Sequence, residues 1–300
     1  MGSICIPVID MKEDSVGQSE KIVEACREWG CFRIINHGVP PELMAEMKVA
    51  TQSLMELPVE IKRRRYHPVE SHGYVSVNKV SPVYESLLAC HDSCVPGSLD
   101  NFLDLMAVSP HLRKTVVKYF EAINEQALDM GRKLGEGMGL KGDLFKDWSS
   151  QMRLNKYHFN PEFVGSCALS LHTDPGFLTI LQDDEIVGGL EVVHGKTGEC
   201  VHVDPMPDSL LVNLGDMATI WSNGRLPSVK HRVQCYEVKT RFSIVFLVWG
   251  PNDRATEQPP ELVDSQHPRL YNPIKFADYR LLRLSNNLFT GAFELLRMNS

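Results

Sequence analysis

Leu171-His172-Thr173-Asp174-Pro175-Gly176-Phe177-Leu178-Thr179-Ile180-Leu181 sets a histidine and an aspartate two residues apart, then runs into an apolar, β-branched segment. Residues i and i+2 of a strand project to the same face. An imidazole and a carboxylate are therefore expected side by side, directed into whatever the sheet encloses. Such a pair is half of a metal site. A bare His-x-Asp is common in turns, so the reading depends on whether the chain supplies the other half.

A third ligand must come from a neighbouring strand. His194 precedes Gly195-Lys196-Thr197-Gly198 and is expected at a solvent-exposed hairpin tip; His267 lies in a Pro-rich surface segment. His202 suits a half-buried structural place on a strand. His231 opens the strand-like run His231-Arg232-Val233-Gln234-Cys235 after a long turn, which makes it the best candidate. Two histidines and one carboxylate on one side of a metal leave three adjacent positions open, an arrangement suited to non-haem Fe(II). Ten residues after His231, Arg241-Phe242-Ser243 places Arg241 and Ser243 on one strand face. A guanidinium fork beside a hydroxyl can take a carboxylate. Asn155-Lys156-Tyr157 puts Asn155 and Tyr157 on one face of an earlier strand, where the tyrosine either donates to that carboxylate or packs in a core rim.

The surroundings divide by periodicity. Upstream, apolar spacing predicts helices over Glu20–Trp29, from Pro41 to about Leu57, over Pro58–Lys62 and over Leu112–Met138. His67 to Asp100, rich in Pro, Gly, Ser and His, reads as loop with short extended pieces, and Gly73–Val95 is a candidate lid. From Met152 the pattern changes to short strands with turn signals: Arg153–Phe159, Ala168–Leu171, Thr179–Gln182, Leu190–Val193, Cys200–Val203, Leu210–Asn213, Ala218–Trp221, His231–Cys235 and Arg241–Trp249. Strands at this spacing imply a sandwich or barrel. Helical patterns return at Phe276–Leu284 and Gly291–Leu296. The expected class is mainly β with flanking helices, in one compact unit: a helical region over 1–150, the β core over 151–252 and a helical tail over 253–300.

Composition narrows the function classes. The 300 residues are 43% hydrophobic and 23% charged, with a net charge of −7, which gives no overall attraction to nucleic acid or anionic membrane. Lys62-Arg63-Arg64-Arg65 reads as a solvated helix end in preference to a basic patch. No stretch reaches the roughly 18–20 apolar residues of a membrane span, and the first residues lack signal-peptide anatomy. The eight scattered cysteines then read as reduced cytosolic thiols, giving a cytoplasmic expectation. Cys90-His91-Asp92-Ser93-Cys94 looks like half a zinc site that no second Cys/His pair completes. No obligate protein partner is evident.

Taken in order, Asn155-x-Tyr157, His172-Thr173-Asp174, His231 and Arg241-x-Ser243 resemble the plant 2-oxoglutarate- and Fe(II)-dependent dioxygenases. Ile6-Pro7-Val8-Ile9-Asp10 and the run from Trp29 to Val39 look like that family's N-terminal region, so the likeness spans essentially the whole chain. Within the family, several stretches look like the auxin-oxidising branch, the dioxygenases for auxin oxidation. They include Gln182-Asp183-Asp184-Glu185, Asn213-Leu214-Gly215-Asp216 and Trp221-Ser222-Asn223-Gly224-Arg225-Leu226. Pro175, Trp249 and His158-Phe159-Asn160-Pro161 depart from that branch's usual residues.

The resemblance implies a double-stranded β-helix, or jelly roll, with Fe(II) on His172, Asp174 and His231. It implies 2-oxoglutarate held at its distal carboxylate by Arg241 and Ser243, near Tyr157 and Asn155, with O2 consumed and ascorbate supportive. It further implies a small aromatic substrate, first among them indole-3-acetic acid oxidised to 2-oxindole-3-acetic acid. Hydroxylation or demethylation of an alkaloid or phenolic is the alternative reading, and a silent binding protein a third. Phe159, Phe177, Leu169, Tyr84 and Phe246 are candidate walls of a substrate slot. Arg153, Arg225 and Arg232 are candidate partners for a substrate carboxylate.

Overall fold

The structure is a computed structural model and describes residues 5–12, 17–65, 73–78, 82–90, 95–142, 144–251 and 253–298. Two sheets face each other. The larger, of eight strands, contains β1 (Val8–Asp10), β2 (Cys31–Ile35), β3 (Tyr74–Val75), β4 (Tyr84–Cys90), β5 (Trp148–His158), β7 (Leu178–Gln182), β10 (Ser209–Leu214) and β12 (Thr240–Pro251). Its spatial order is β1-β2-β10-β7-β12-β5-β4-β3. The smaller holds β6 (Cys167–His172), β8 (Leu190–Val193), β9 (Cys200–His202) and β11 (His231–Gln234) in the order β6-β11-β8-β9. All pairings are antiparallel except β1 with β2. This is the jelly roll, with helices on the outer side of the large sheet.

The two faces of the large sheet bury different chemistry. On β12, Phe242, Ile244, Phe246 and Val248 join Leu154 on β5, Ile180 on β7 and Val212 on β10 in the main apolar core. That core is capped by α1 (Gln18–Trp29), α2 (Pro41–Met55) and α5 (Pro110–Gly137), whose buried residues include Ile22, Met47, Val116 and Ile123. Local signals place these helices. Gly30 ends α1 at φ +68°, its N–H bonded to the Cys26 carbonyl, and a Cβ there would lie 2.7 Å from the Pro227 carbonyl oxygen. Pro41 opens α2; Ser109 caps α5, its hydroxyl accepting the Leu112 N–H at 3.3 Å. The alternate residues of the sheet face inward. Leu181, Leu211, Tyr157 and Val245 pack there with Leu190, Val192 and Val233 of the small sheet.

Three sequence expectations change. Ala218–Trp221, read as a strand, lies in helix α6 (Asp216–Trp221). All six of its residues are buried, and a continuously apolar run carries no period that separates strand from helix. Contacts decide instead: the N–H groups of Gly215, Asp216 and Met217 bond the carbonyls of Phe177, Asp174 and Gly176. Val59–Lys62 is the short helix α3; within the expected loop, Tyr84–Cys90 is a strand paired along β5, and Ser98–Leu105 is helix α4. That strand is no lid, and residues 66–72, 79–81 and 91–94 lie outside the described residues, as does most of the Cys90–Cys94 motif. The tail forms helix α7 (Phe276–Ser285), but Ala292–Leu296 is a 3-10 turn. Among the described residues no helix is long and apolar enough to cross a membrane.

Phe177 is fully buried and meets Phe145, Trp148 and Trp221 with ring centroids 5.1–5.2 Å apart. It belongs to the helix-side core, so it is no wall of a slot between the sheets. Phe177→Ala is expected to cost about 3–5 kcal/mol. Urea unfolding checks this: the midpoint falls while the slope stays at the parent value.

Candidate active site

His172 is the last residue of β6 and His231 the first of β11, and the antiparallel register sets them directly opposite one another. Their rings lie 4.2 Å apart at the centroids. Asp174 is not on the strand. It sits in the turn that carries the chain from the small sheet to β7 of the large one. The two-residue spacing therefore works through a strand end and a turn, rather than through one strand face. Asp174 Oδ1 lies 3.8 Å from Nε2 of each histidine, and one ligand atom from each residue falls within 4.8 Å of the others. Among the described residues this is the cluster of three or more such side chains able to hold a metal ion.

The surroundings prepare these groups for a cation. Nδ1 of His172 faces the Ser170 carbonyl at 2.8 Å, and Nδ1 of His231 faces the Val229 carbonyl at 3.2 Å. A carbonyl only accepts, so each Nδ1 carries a proton, which turns each Nε2 toward the space the three side chains share. Asp174 Oδ2 accepts from the Thr179 hydroxyl at 2.5 Å and from Asn213 Nδ2 at 2.9 Å, which leaves Oδ1 for a metal. Burial, then the neighbouring His231 imidazole, pushes His172 down to about 4, so it is neutral near pH 7. Burial raises Asp174, but the two imidazoles and the Thr179 and Asn213 hydrogen bonds outweigh it and hold the carboxyl below its ordinary value. Neutral imidazoles and an ionised carboxylate are the forms that bind Fe(II).

Arg241 lies on the inner face of the large sheet, 1% exposed. Register puts it beside Tyr157, and Ser243 beside Asn155, with Tyr84 and Ser86 of β4 continuing the two rows. Its guanidinium lies over the Tyr157 ring, 4.8 Å from the centroid, and Nη2 donates to Asp183 Oδ1. Nε and Nη1 are sealed from solvent without a hydrogen-bond partner. Unmet buried donors cost roughly 1–3 kcal/mol apiece, and an acceptor oxygen on either one removes its share. Each free donor can meet one oxygen of a carboxylate. Asn155 acts one step back: Oδ1 accepts from the Tyr84 and Ser86 hydroxyls at 3.0 and 2.9 Å, while Nδ2 donates to Ser243 Oγ at 3.3 Å.

The remaining candidates separate by sheet face. Tyr84, Phe159 and Leu169 lie with Tyr157 in the inner cluster. Phe246, 1% exposed, lies on the opposite face against Phe120 with Phe177 in the same core, so both are removed from the substrate slot. Arg153 is on the inner face of β5, its Nη1 donating to Ser86 Oγ at 2.8 Å. Arg225 is bound to the Leu262 carbonyl, and Arg232 pairs with Glu191 on the small sheet, so neither is placed for a substrate acid. His194 follows β8 at the start of the hairpin loop, yet it is buried, its ring 4.4 Å from the Trp29 ring; His202 is exposed against Tyr236, rather than half-buried. His267 is exposed, as expected. Spacing alone missed Thr179, Asn213, Asp183 and Ser86. The available signal was a polar residue interrupting an apolar strand, as Asn213 does in Ser209–Leu214.

Comparison with known proteins agrees with this geometry. The family model of the 2OG-Fe(II) oxygenase superfamily matches residues 148–248, and that of the non-haem dioxygenase in morphine synthesis N-terminal matches 6–92. The chain is 44% identical over 290 residues to the 2-oxoglutarate-dependent dioxygenase DAO of Oryza sativa subsp. japonica, covering 95% of this chain and 96% of that one. It is 33% identical to jasmonate-induced oxygenase 4 of Arabidopsis thaliana, covering 92% and 81%. The crystal structure of rice dioxygenase for auxin oxidation superposes with a TM-score of 0.90 at 43% identity, covering 98% of this chain and all of that one. The 2-oxoglutarate complex of dioxygenase for auxin oxidation 1 from Arabidopsis thaliana gives 0.85 at 50% identity, covering 88% and 100%. The chain belongs to the 2-oxoglutarate- and Fe(II)-dependent oxygenases and is a 2-oxoglutarate-dependent dioxygenase.

Proposed function

We propose that this dioxygenase oxidises indole-3-acetic acid at the indole ring, giving 2-oxindole-3-acetic acid. The likeness to auxin-oxidising dioxygenases points to the substrate. The observation that carries the reading is Arg153. It stands on the same inner face as Arg241, four residues along β5 from Tyr157, where a second, substrate carboxylate can be met. Arg280 of α7 reinforces it. Burial, then the Arg153 charge, pushes Arg280 down to about 10, which leaves it cationic at neutral pH. Its guanidinium lies 5.3 Å from the Trp249 ring centroid, and Trp249 stacks on Phe276 at 4.9 Å. Trp249, a departure from the auxin-oxidising branch, is thereby a platform for Arg280. Two guanidinium groups supply the positive charge that a substrate acid needs. Tyr84, Phe159 and Leu169 supply apolar surface for an indole.

In this reading His172, Asp174 and His231 hold Fe(II) on one side and leave three positions open. Arg241 and Ser243 hold the distal carboxylate of 2-oxoglutarate, and Asn155 and Asp183 hold those two side chains in place. When bound, the iron couples oxidative decarboxylation of 2-oxoglutarate to activation of O2. The balance is indole-3-acetate, 2-oxoglutarate and O2 in, and 2-oxindole-3-acetate, succinate and CO2 out. The two sheets orient the iron and the cosubstrate, which carry the hard chemistry.

Incubation of the purified protein with Fe(II), ascorbate, 2-oxoglutarate and a panel of acids, alkaloids and phenolics tests the substrate. Indole-3-acetate should gain one oxygen with matching succinate release. A methyl lost from an alkaloid or phenolic, with indole-3-acetate untouched, overturns the reading. His231→Ala and Asp174→Ala should each abolish turnover, with the far-ultraviolet dichroism unchanged; succinate release at the parent rate refutes the ligand assignment. Arg241→Lys keeps the charge but loses the fork, a loss of about 1.5–3 kcal/mol. That corresponds to a KM for 2-oxoglutarate raised roughly 10- to 100-fold, read from saturation curves. Arg153→Met should instead raise the KM for indole-3-acetate by a similar factor and leave that for 2-oxoglutarate near the parent value.

A further inference from the structure

We infer that Arg283, on the C-terminal helix α7, is a positioning residue for the metal centre, holding the peptide between two of the three ligands. The inference rests on reading His172, Asp174 and His231 as metal ligands, and goes beyond it by assigning a role to a segment more than 100 residues downstream of the His-x-Asp pair.

Asp174 lies in a turn, so no strand ladder fixes it. The turn is held instead from two sides. On one side, the N–H groups of Asp216 and Met217 bond the carbonyls of Asp174 and Gly176 at 2.8 and 3.0 Å. On the other, Arg283 addresses Thr173, the residue between His172 and Asp174. Nη2 donates to the Thr173 carbonyl at 2.9 Å, and Nη1 to its hydroxyl at 3.3 Å. Nη2 also donates to the Phe289 carbonyl at 2.9 Å, which in turn accepts the Thr173 N–H at 2.9 Å.

One ion pair joins the two sides. Arg283 Nη1 binds Asp216 Oδ2, and the Tyr279 hydroxyl donates to the same oxygen at 2.6 Å. Asp216 is fully buried. A buried carboxylate keeps its place only while its cation stays, so Arg283 orients both the Thr173 peptide and the α6 terminus that grips Asp174. The turn has no slack to absorb a change. A Cβ on Gly215 would lie 2.3 Å from the Gly176 carbonyl oxygen and 2.7 Å from that of Asp174. The guanidinium fork suits this task; an ammonium can keep the charge but not the paired bonds to Thr173.

Mn(II) alone, titrated anaerobically and followed by the electron paramagnetic resonance signal of the free ion, reads the site without turnover. Loss of an outer partner of metal ligands typically weakens binding 10- to 100-fold. We expect Arg283→Lys to weaken Mn(II) binding by about tenfold, and Arg283→Ala by more. The double variant Arg283→Leu with Asp216→Asn, which leaves no unpaired buried charge, should also bind weakly while unfolding near the parent midpoint. Arg297→Ala, in the same C-terminal segment, should bind as the parent does. Arg283→Lys and the double variant both binding with the parent dissociation constant overturns the inference. His231→Ala separates the two claims. If that variant binds Mn(II) like the parent, the ligand reading itself fails. If it loses binding while the Arg283 variants keep theirs, only the positioning role fails.

Discussion

A carboxylate buried between two imidazoles is the constraint around which the molecule is arranged. Asp174 is 8% exposed, and burial by itself would push it toward the neutral acid. Thr179 and Asn213 counter this by donating to one oxygen, while the histidines face the other. The site is thus polarised: one oxygen is committed to the protein, and one is left for a cation. Removing those donors would alter the protonation of the ligand as well as its position.

The large sheet makes such a site affordable. Its outer face is given to the helices and a continuous apolar core, which supplies most of the favourable burial. Its inner face can then carry polar residues in register. Arg33, Asn213, Thr179, Ser243, Arg241, Asn155 and Arg153 all occupy positions whose neighbours along the strand point to the helices. The pleat keeps the two chemistries apart, and a one-residue slip of β12 would exchange Arg241 with Phe242. The unmet donors of Arg241 follow the same logic as Asp174: a group is held ready, with its remaining valence aimed at a small molecule.

Local pattern and tertiary pairing diverge at a few segments of the chain. Phe246 has the composition expected of a pocket wall, but parity on β12 sends it to the helices, opposite Arg241. Ala218–Trp221 has strand-like residues, yet the carbonyls of the ligand turn cap that segment as a helix. Tyr84–Cys90 lies in a Pro- and Ser-rich region, and only its pairing with β5 makes it a strand. His194 follows a strand as its glycines suggest, but Trp29 from a distant helix covers it.

From its residues alone, the chain declared its ligand types, their spacing, the Arg-x-Ser that follows His231, and the change from helical to strand periodicity near Met152. Those are local properties, set by side-chain chemistry and by the periods of helix and strand. Only the tertiary structure decided which groups meet. The pairing of β6 with β11 brings His172 to His231, across 59 residues of chain. The turn that holds Asp174 is shaped by α6 and by Arg283 of α7. Such contacts depend on register and on elements far apart in the chain, and neither leaves a periodic trace in the residues that make them.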